Sequence, residues 1–277
     1  MKIEDLLKFG IEELEDIDEQ ALLKSRMLLS HVLGESREYL VIHSKDKISG
    51  KIKREYLKGI NRLKNGEPIQ YVVGKTEFYG FDFIVNKDVL IPQPDTEILV
   101  EEILENFSYK NEILDLCTGS GAIGICLKKY MSNSKVYSSD ISKEALKIAN
   151  KNAEKNEVDI IFLESDLFKK IYKRFDLIVS NPPYIERSFL RKLPREVKFE
   201  PTLALDGGID GLDFYRIITK EAKDHLKENG ILALEIGFDQ KEAVIQLLEQ
   251  EGYEDIYSKK DYGGNDRIVV RKIRKQN

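Results

Sequence analysis

From residue 111 onward, short apolar runs alternate with longer amphipathic segments. Runs at 112–116, 135–139, 159–163, 175–180, 230–236, 253–258 and 266–272 predict strands. The 3.6-residue pattern predicts helices over 121–130, 142–155, 213–228 and 239–250. Strand–helix alternation of this kind implies an α/β fold, with a mostly parallel seven-stranded sheet covered by helices on both faces. The link 259–265 contains Gly263-Gly264 and is too short for a crossover helix, so the last strand should run antiparallel.

The first part of the chain has helical spacing only. One helix begins at Ile3-Glu4-Asp5-Leu6-Leu7. A second is expected with Asp18 as its cap, an apolar stripe at Leu22, Leu23, Arg26, Met27, Leu29 and Leu33, and a stop at Gly34. A third runs over 51–64 and ends at Asn65-Gly66-Glu67-Pro68. Tyr71-Val72-Val73 and the aromatic run 77–85 around Gly80 then predict a β-hairpin. Val89-Leu90-Ile91-Pro92-Gln93-Pro94 reads as a loop, with Asp95 or Thr96 capping a helix over 97–106. The expected organisation is a helical bundle over 1–68, a hairpin linker over 69–92 and an α/β domain over 93–277.

Composition narrows the class. With 277 residues and 42% hydrophobic content, the chain can bury a sizeable core. No apolar run approaches the length of a membrane span, and no signal-peptide run follows Met1-Lys2-Ile3-Glu4-Asp5. The two cysteines suit a reducing compartment, and the three histidines have no metal-ligand spacing. A cytoplasmic protein without a membrane partner or a metal is expected. The net charge of −5 argues against a broad nucleic-acid face. Residues 1–50 hold 7 Lys/Arg against 11 Asp/Glu, whereas residues 51–75 hold 7 against 2. The second stretch reads as a solvated helix face or as a patch for an acidic partner.

Two constellations carry chemistry. Ile113-Leu114-Asp115-Leu116 runs into Cys117-Thr118-Gly119-Ser120-Gly121 and then into a helix. The glycines allow a sharp turn and close backbone approach to a ligand, and the helix start offers free N–H groups. Asp140 ends the next strand, where an acid can accept both hydroxyls of a ribose. This much fits NAD(P) or S-adenosylmethionine. Asp115 favours the second, as an acid able to help place a methionine ammonium. Asp166 follows the third strand and either bonds an adenine amino group or caps a short helix, while Leu167 or Phe168 is placed to cover a ring.

The second constellation is Asn181-Pro182-Pro183-Tyr184, directly after the strand Phe175-Asp176-Leu177-Ile178-Val179-Ser180. In an open α/β sheet the C-terminal strand ends form the ligand edge. A substrate nitrogen awaiting alkylation carries two N–H donors. The Asn181 side-chain oxygen and a neighbouring backbone carbonyl can accept both, the prolines stiffen the turn, and Tyr184 offers a flat face.

Together these motifs resemble the glutamine N5-methyltransferases of the PrmC/HemK type, which modify class-I peptide chain release factors. The resemblance extends to Pro68-Ile69-Gln70-Tyr71, Gly74, Phe78, Gly80 and Phe83, to Leu90-Ile91-Pro92-Gln93-Pro94-Asp95-Thr96-Glu97, and to Glu200-Pro201, Ala204-Leu205, Gly207-Gly208 and Asp210-Gly211-Leu212. The chain departs from the usual pattern at Gln93, Asp95, Cys117 and Leu167, where that family commonly has Arg, Glu, Gly and Trp.

The resemblance implies a class I S-adenosylmethionine-dependent methyltransferase domain behind a substrate-recognising bundle. It also implies methyl transfer to the glutamine amide of a Gly-Gly-Gln motif. Asn181, Pro182, Pro183 and Tyr184 would be catalytic. Cys117, Thr118, Gly119, Ser120, Gly121, Asp140, Asp166, Leu167 and Asn181 would hold the cofactor. Release factors would be the partners, with no DNA, and a monomer is the default state. Arg187, Arg191, Lys192, Arg195 and Lys198 follow the motif and read equally as a docking strip or as solvated surface. The alternatives are an amino-directed DNA methyltransferase, an NAD-dependent dehydrogenase and a binding protein that retains the fold.

Overall fold

The computed structural model describes residues 1–271. They divide into two compact units: Met1–Lys75 with Pro194–Phe199, and Thr76–Leu193 with Glu200 onward. Among the described residues, no helix is long and apolar enough to cross a membrane.

The first unit contains α1 (Ile3–Leu14), α2 (Ala21–Leu33), α3 (Arg37–Ile42), α4 (Gly50–Lys64) and α5 (Ile69–Val73). Its core gathers Ile3, Leu6, Leu14, Leu28, Leu29, Tyr56, Ile60 and Leu63. Ser36 and Ser49 cap α3 and α4 by accepting from Tyr39 N and Ile52 N. Three expectations are corrected here. Leu22 and Leu23 are 45% and 42% exposed, and the buried stripe of α2 is Ala21, Lys24, Ser25, Leu28 and Leu29. The face was chosen by an ion cluster, because Lys24 is buried between Asp18, at 2.5 Å, and Glu196. Asp18 therefore does not occupy the cap position, which falls on Gln20; its Oδ1 accepts from Gln20 N.

The third correction concerns Tyr71-Val72-Val73, which is helical rather than extended. Pro68 starts the turn, with Tyr71 N and Val72 N donating to its carbonyl, and Gly74 at φ +74° ends it. Arg62 donates to the carbonyls of Tyr71 and Val72 at 3.2 Å each. The hairpin itself is shorter than expected, β1 (Lys75–Phe78) and β2 (Phe81–Ile84). Tyr79 and Gly80, both at positive φ, make the tight turn that matches strand twist.

The second unit continues with α6 (Glu97–Phe107), β3 (Glu112–Leu116), α7 (Ala122–Tyr130), β4 (Lys135–Asp140), α8 (Lys143–Lys155), β5 (Ile161–Glu164) and β6 (Phe175–Ser180). It ends with α9 (Asp213–His225), β7 (Leu226–Glu235), α10 (Lys241–Gln250), β8 (Ile256–Lys260) and β9 (Asp266–Arg271). The sheet order is β5-β4-β3-β6-β7-β9-β8. All neighbours pair in parallel except β9, which runs antiparallel to both β7 and β8. Residue 272 of the expected last strand lies outside the described residues. The helix expected to reach 228 stops at His225, because Leu226 already pairs with Phe175. The ladder then slips, with Asn229 at φ +58°, and resumes at Ile231 opposite Leu177.

Chain order reverses between β3 and β6, so their connections leave on opposite sides and open a crevice at their C-terminal ends. Register places Leu116 opposite Ser180, which brings the loop at Cys117 beside Asn181. The Ser180 hydroxyl donates to the Leu116 carbonyl at 2.6 Å and locks the two strand ends together.

Candidate active site

A cleft of about 150 Å³ opens at this switch point. Cys117, Gly119, Asp140, Asp166, Leu167, Asn181 and Pro183 all line it. Thr118, Ser120, Gly121, Pro182 and Tyr184 do not.

The loop after β3 is shaped by Cys117, Gly119 and Gly121, at φ +62°, +54° and +85°. A Cβ on Gly119 would meet nothing within 4 Å, so the backbone is open to a ligand there. Gly121 instead lies against α8, where a Cβ would come 3.1 Å from Ala149 Cβ. Thr118 and Ser120 are buried behind the loop. Thr118 donates to Asp115, and the Ser120 carbonyl accepts from Asn152 Nδ2 at 2.9 Å.

Asp115 is fully buried and braces the loop. Its Oδ2 accepts from Thr118, from Gly124 N at 3.0 Å and from Ser138 at 3.4 Å. Desolvation pushes its carboxyl up to about 7. It does not line the cleft, so the expected place beside a ligand ammonium is corrected to a structural one.

Asp140 is held by backbone. Its Oδ2 accepts from Gly119 N and its Oδ1 from Ser142 N, both at 2.9 Å. Burial raises its carboxyl despite these bonds. Asp166 pairs at 2.5 Å with Lys169, and its side chain is half-exposed. The side chain that closes this turn is Ser165, which donates to Leu167 O and accepts from Lys170 N. The cap reading of Asp166 therefore passes to its neighbour, and Leu167, at φ +47°, is turned to line the cleft.

Asn181 donates from Nδ2 to Thr96 Oγ1 at 3.2 Å. Its Oδ1 is then the amide end left to accept from a bound group. The segment after the motif is pinned: Ile185 N donates to Leu205 O, and Gly207 N returns to Ile185 O. Gln240 Nε2 ties the Tyr184 and Gly211 carbonyls at 3.0 and 3.2 Å. The Tyr184 ring packs against the core around Phe175 and Tyr215, and its phenol faces Arg267 and Glu235.

Several residues of this region carry no site role in the sequence reading: Leu203 and Phe214 go unnamed there, and the others stand only as loop or family-motif positions. Val89, Leu90, Pro201, Leu203, Ala204 and Phe214 supply apolar lining. Glu200 is buried, accepts from Ile91 N at 2.9 Å, and is pushed up to about 7 by desolvation. Its signal in the sequence was its place at the head of the Glu200-Pro201 stretch that resembles the family's loop.

The lining fits S-adenosylmethionine. A rigid carboxylate at a strand end suits a ribose diol, the open backbone at Gly119 admits close approach, and Leu90, Leu167 and Phe214 can cover a flat base. With the switch-point cleft and an Asn-Pro-Pro-Tyr corner, the second unit has the architecture of an S-adenosylmethionine-dependent methyltransferase. Solved structures agree at the level of fold. A methyltransferase from Pyrococcus furiosus matches with a TM-score of 0.54 at 21% identity, covering 70% of this chain and 89% of that one. The hMettl16 catalytic domain matches with a TM-score of 0.57 at 13% identity, covering 81% and 82%.

Family models place a methyltransferase small domain at residues 93–192 and a PrmC N-terminal domain at residues 5–74. The release factor glutamine methyltransferase of Clostridium acetobutylicum is 42% identical over 98% of both chains. That of Geobacter sulfurreducens is 40% identical over 92% of this chain and 90% of the relative. The chain belongs to the release factor glutamine methyltransferase family.

Proposed function

We propose that this chain methylates the side-chain amide nitrogen of the glutamine in a Gly-Gly-Gln motif of class-I release factors. The observation that carries the reading is Asn181, held at the switch point beside the cleft that Asp140 lines, with its Oδ1 left without a hydrogen bond among the described residues. When bound, S-adenosylmethionine supplies an electrophilic methyl group. Cys117, Thr118, Gly119, Ser120, Gly121, Asp140, Asp166 and Leu167 are the residues assigned to hold it, some by lining the cleft and some by shaping the loop.

An amide nitrogen shares its lone pair with its carbonyl and is a poor nucleophile, so positioning must do most of the catalytic work. Asn181 Oδ1 and the Pro182 carbonyl accept the two N–H groups of the glutamine amide, which turns the lone pair toward the cleft. Both bonds strengthen as positive charge grows on nitrogen, so they favour the transition state over the ground state. Pro183 stiffens the corner, and Tyr184 anchors it from behind. The first unit serves as the grip on the protein substrate, because a tripeptide offers too little surface for selectivity. A cytoplasmic monomer completes the reading.

The test is label transfer from S-adenosylmethionine to a purified class-I release factor, beside its Gly-Gly-Ala variant and unmethylated DNA. Label on the unmodified factor alone is expected. Label on DNA, or equal label on the Gly-Gly-Ala variant, would overturn the assignment of substrate.

A further inference from the structure

Behind Asn181 lies a buried polar chain. Thr96 ends the short 3-10 turn Pro94–Thr96 and is almost completely buried. Its Oγ1 accepts from Asn181 Nδ2 at 3.2 Å. A hydroxyl has one proton to give, and the carboxyl of Glu235 is the acceptor that stands beside it. Glu235, at the end of β7, is buried with its carboxyl facing the Thr96 hydroxyl, the Tyr184 phenol and Arg267. Its Oε2 closes no full hydrogen bond among the described residues. A buried oxygen left in this state favours any neighbouring donor that can turn toward it.

The surroundings keep this chain in place. Arg267 reaches Asp95 at 3.0 Å and Asp261 at 2.9 Å, which fixes the turn that carries Thr96. The Tyr215 hydroxyl donates to the Glu235 backbone carbonyl at 2.8 Å, which fixes the end of β7. Arg267, Asp95, Tyr184 and Tyr215 are the ionisable groups around the carboxyl among the described residues.

We propose that Thr96 and Glu235 are positioning residues that decide which end of the Asn181 amide faces the acceptor nitrogen. The inference rests on the reading that Asn181 accepts from the substrate amide. With its proton directed to Glu235, Thr96 Oγ1 can only accept, so it selects Asn181 Nδ2 and leaves Oδ1 toward the cleft. Without that bias the Asn181 amide can turn over and present a donor to a donor. Such an inverted state binds cofactor normally and does not turn over.

The experiment compares Thr96→Val, Thr96→Ser, Glu235→Gln and Asn181→Ala in the full chain, with a class-I release factor as substrate. Turnover, KM and cofactor affinity are measured for each. Thr96→Val is expected to lower kcat about tenfold, equivalent to about 1.4 kcal/mol of barrier, with KM and cofactor affinity within about twofold. Thr96→Ser keeps the hydroxyl and should stay within about twofold of the parent. Glu235→Gln should lower kcat about threefold, since its amide can donate to Thr96 as well as accept. Asn181→Ala should lose at least about a hundredfold.

A second readout needs no turnover. In the ¹⁵N-labelled protein, one Asn181 side-chain proton should exchange slowly, and that protection should vanish in Thr96→Val and persist in Thr96→Ser. Normal kcat in Thr96→Val beside a dead Asn181→Ala would overturn the relay and leave the site reading standing. Equal losses in Thr96→Val and Thr96→Ser would also overturn the relay. Near-normal turnover in Asn181→Ala would overturn the site reading, and the relay with it.

Discussion

At the residue scale, the site divides into groups that face the cleft and groups that hold them. Asp140 faces it, and two backbone N–H groups fix both of its oxygens without using all of their lone pairs. Asp140→Ala should therefore weaken S-adenosylmethionine binding by about tenfold to a hundredfold, the range of a lost charge-assisted hydrogen bond of about 1.5–3 kcal/mol. Titration calorimetry checks this; unchanged affinity would remove Asp140 from the cofactor site. The facing residues were legible because their positions follow strand ends: Cys117 after β3, Asp140 closing β4, Asn181 after β6. Of the holding residues behind Asn181 only Thr96 was named, as a helix cap and a family-motif position, and its partners were not. Thr96, Glu235 and Arg267 are 171 residues apart at their extremes, and no local pattern marks the point where β9 folds antiparallel beside β7 and delivers Arg267 to the turn at Asp95. Asp115 shows the reverse error. It sits within the glycine-rich motif, yet strand alternation buries it behind the loop rather than in the cleft.

At the scale of elements, α4 shows why local propensity underdetermines packing. Gly59 lies inside a fifteen-residue helix, where replacing Gly by Ala usually gains about 0.5–1 kcal/mol. Here a Cβ would stand 2.6, 2.7 and 3.1 Å from Leu28 Cδ1, Cδ2 and Cγ. The whole branched head of a buried side chain on α2 blocks it, and overpacking of this kind costs about 1–3 kcal/mol. Gly59→Ala is thus expected to destabilise the first unit by up to about 2 kcal/mol. At the start of the same helix, Gly50 meets only Arg54 Nη1 at 3.8 Å, so Gly50→Ala should be neutral or slightly stabilising. Urea melts of the two variants check the pair; equal shifts would show that helix propensity, not the contact with Leu28, decides. The same contact acts with the Lys24 ion cluster in setting the buried stripe of α2. Leu22 and Leu23 are as apolar as Leu28, but the face with room for Leu28 against Gly59 and with acids around Lys24 is the one that is buried. Strands of the second unit were easier to place, because runs apolar at nearly every position, such as Ile113–Leu116 and Leu177–Ser180, fit the interior of a parallel sheet covered on both sides.

At the scale of the whole molecule, the buried carboxyls set a pH dependence of stability opposite to that of most surface acids. Asp115, Glu200 and Glu235 are each pushed up to about 7, in every case chiefly by desolvation. Asp140 is raised as well, for the same reason. A carboxyl raised in the folded state binds its proton more tightly there than in the unfolded chain. Its contribution to stability is fully present below the unfolded carboxyl range near 4 and is lost as pH rises to about 7. Acids paired with arginine near the surface act the other way. Asp210, lowered to about 2 by Arg216, and Asp206, lowered against its desolvation by Arg187 and by backbone hydrogen bonding, stabilise above the unfolded range and lose that effect only in stronger acid. Between pH 5 and 7.5 those acids are already ionised in both states, so the raised carboxyls dominate the slope. His31, lowered by burial and by Lys75, opposes them as a single group. The melting temperature of the cofactor-free protein is therefore expected to fall as pH rises from 5 to 7.5. Glu200→Gln provides the control. It keeps an acceptor for Ile91 N while removing one titrating group, so the slope should become shallower with the bond retained. A melting temperature that rises steadily over this range would mean that these carboxyls are ionised throughout and that water or bound ions reach them.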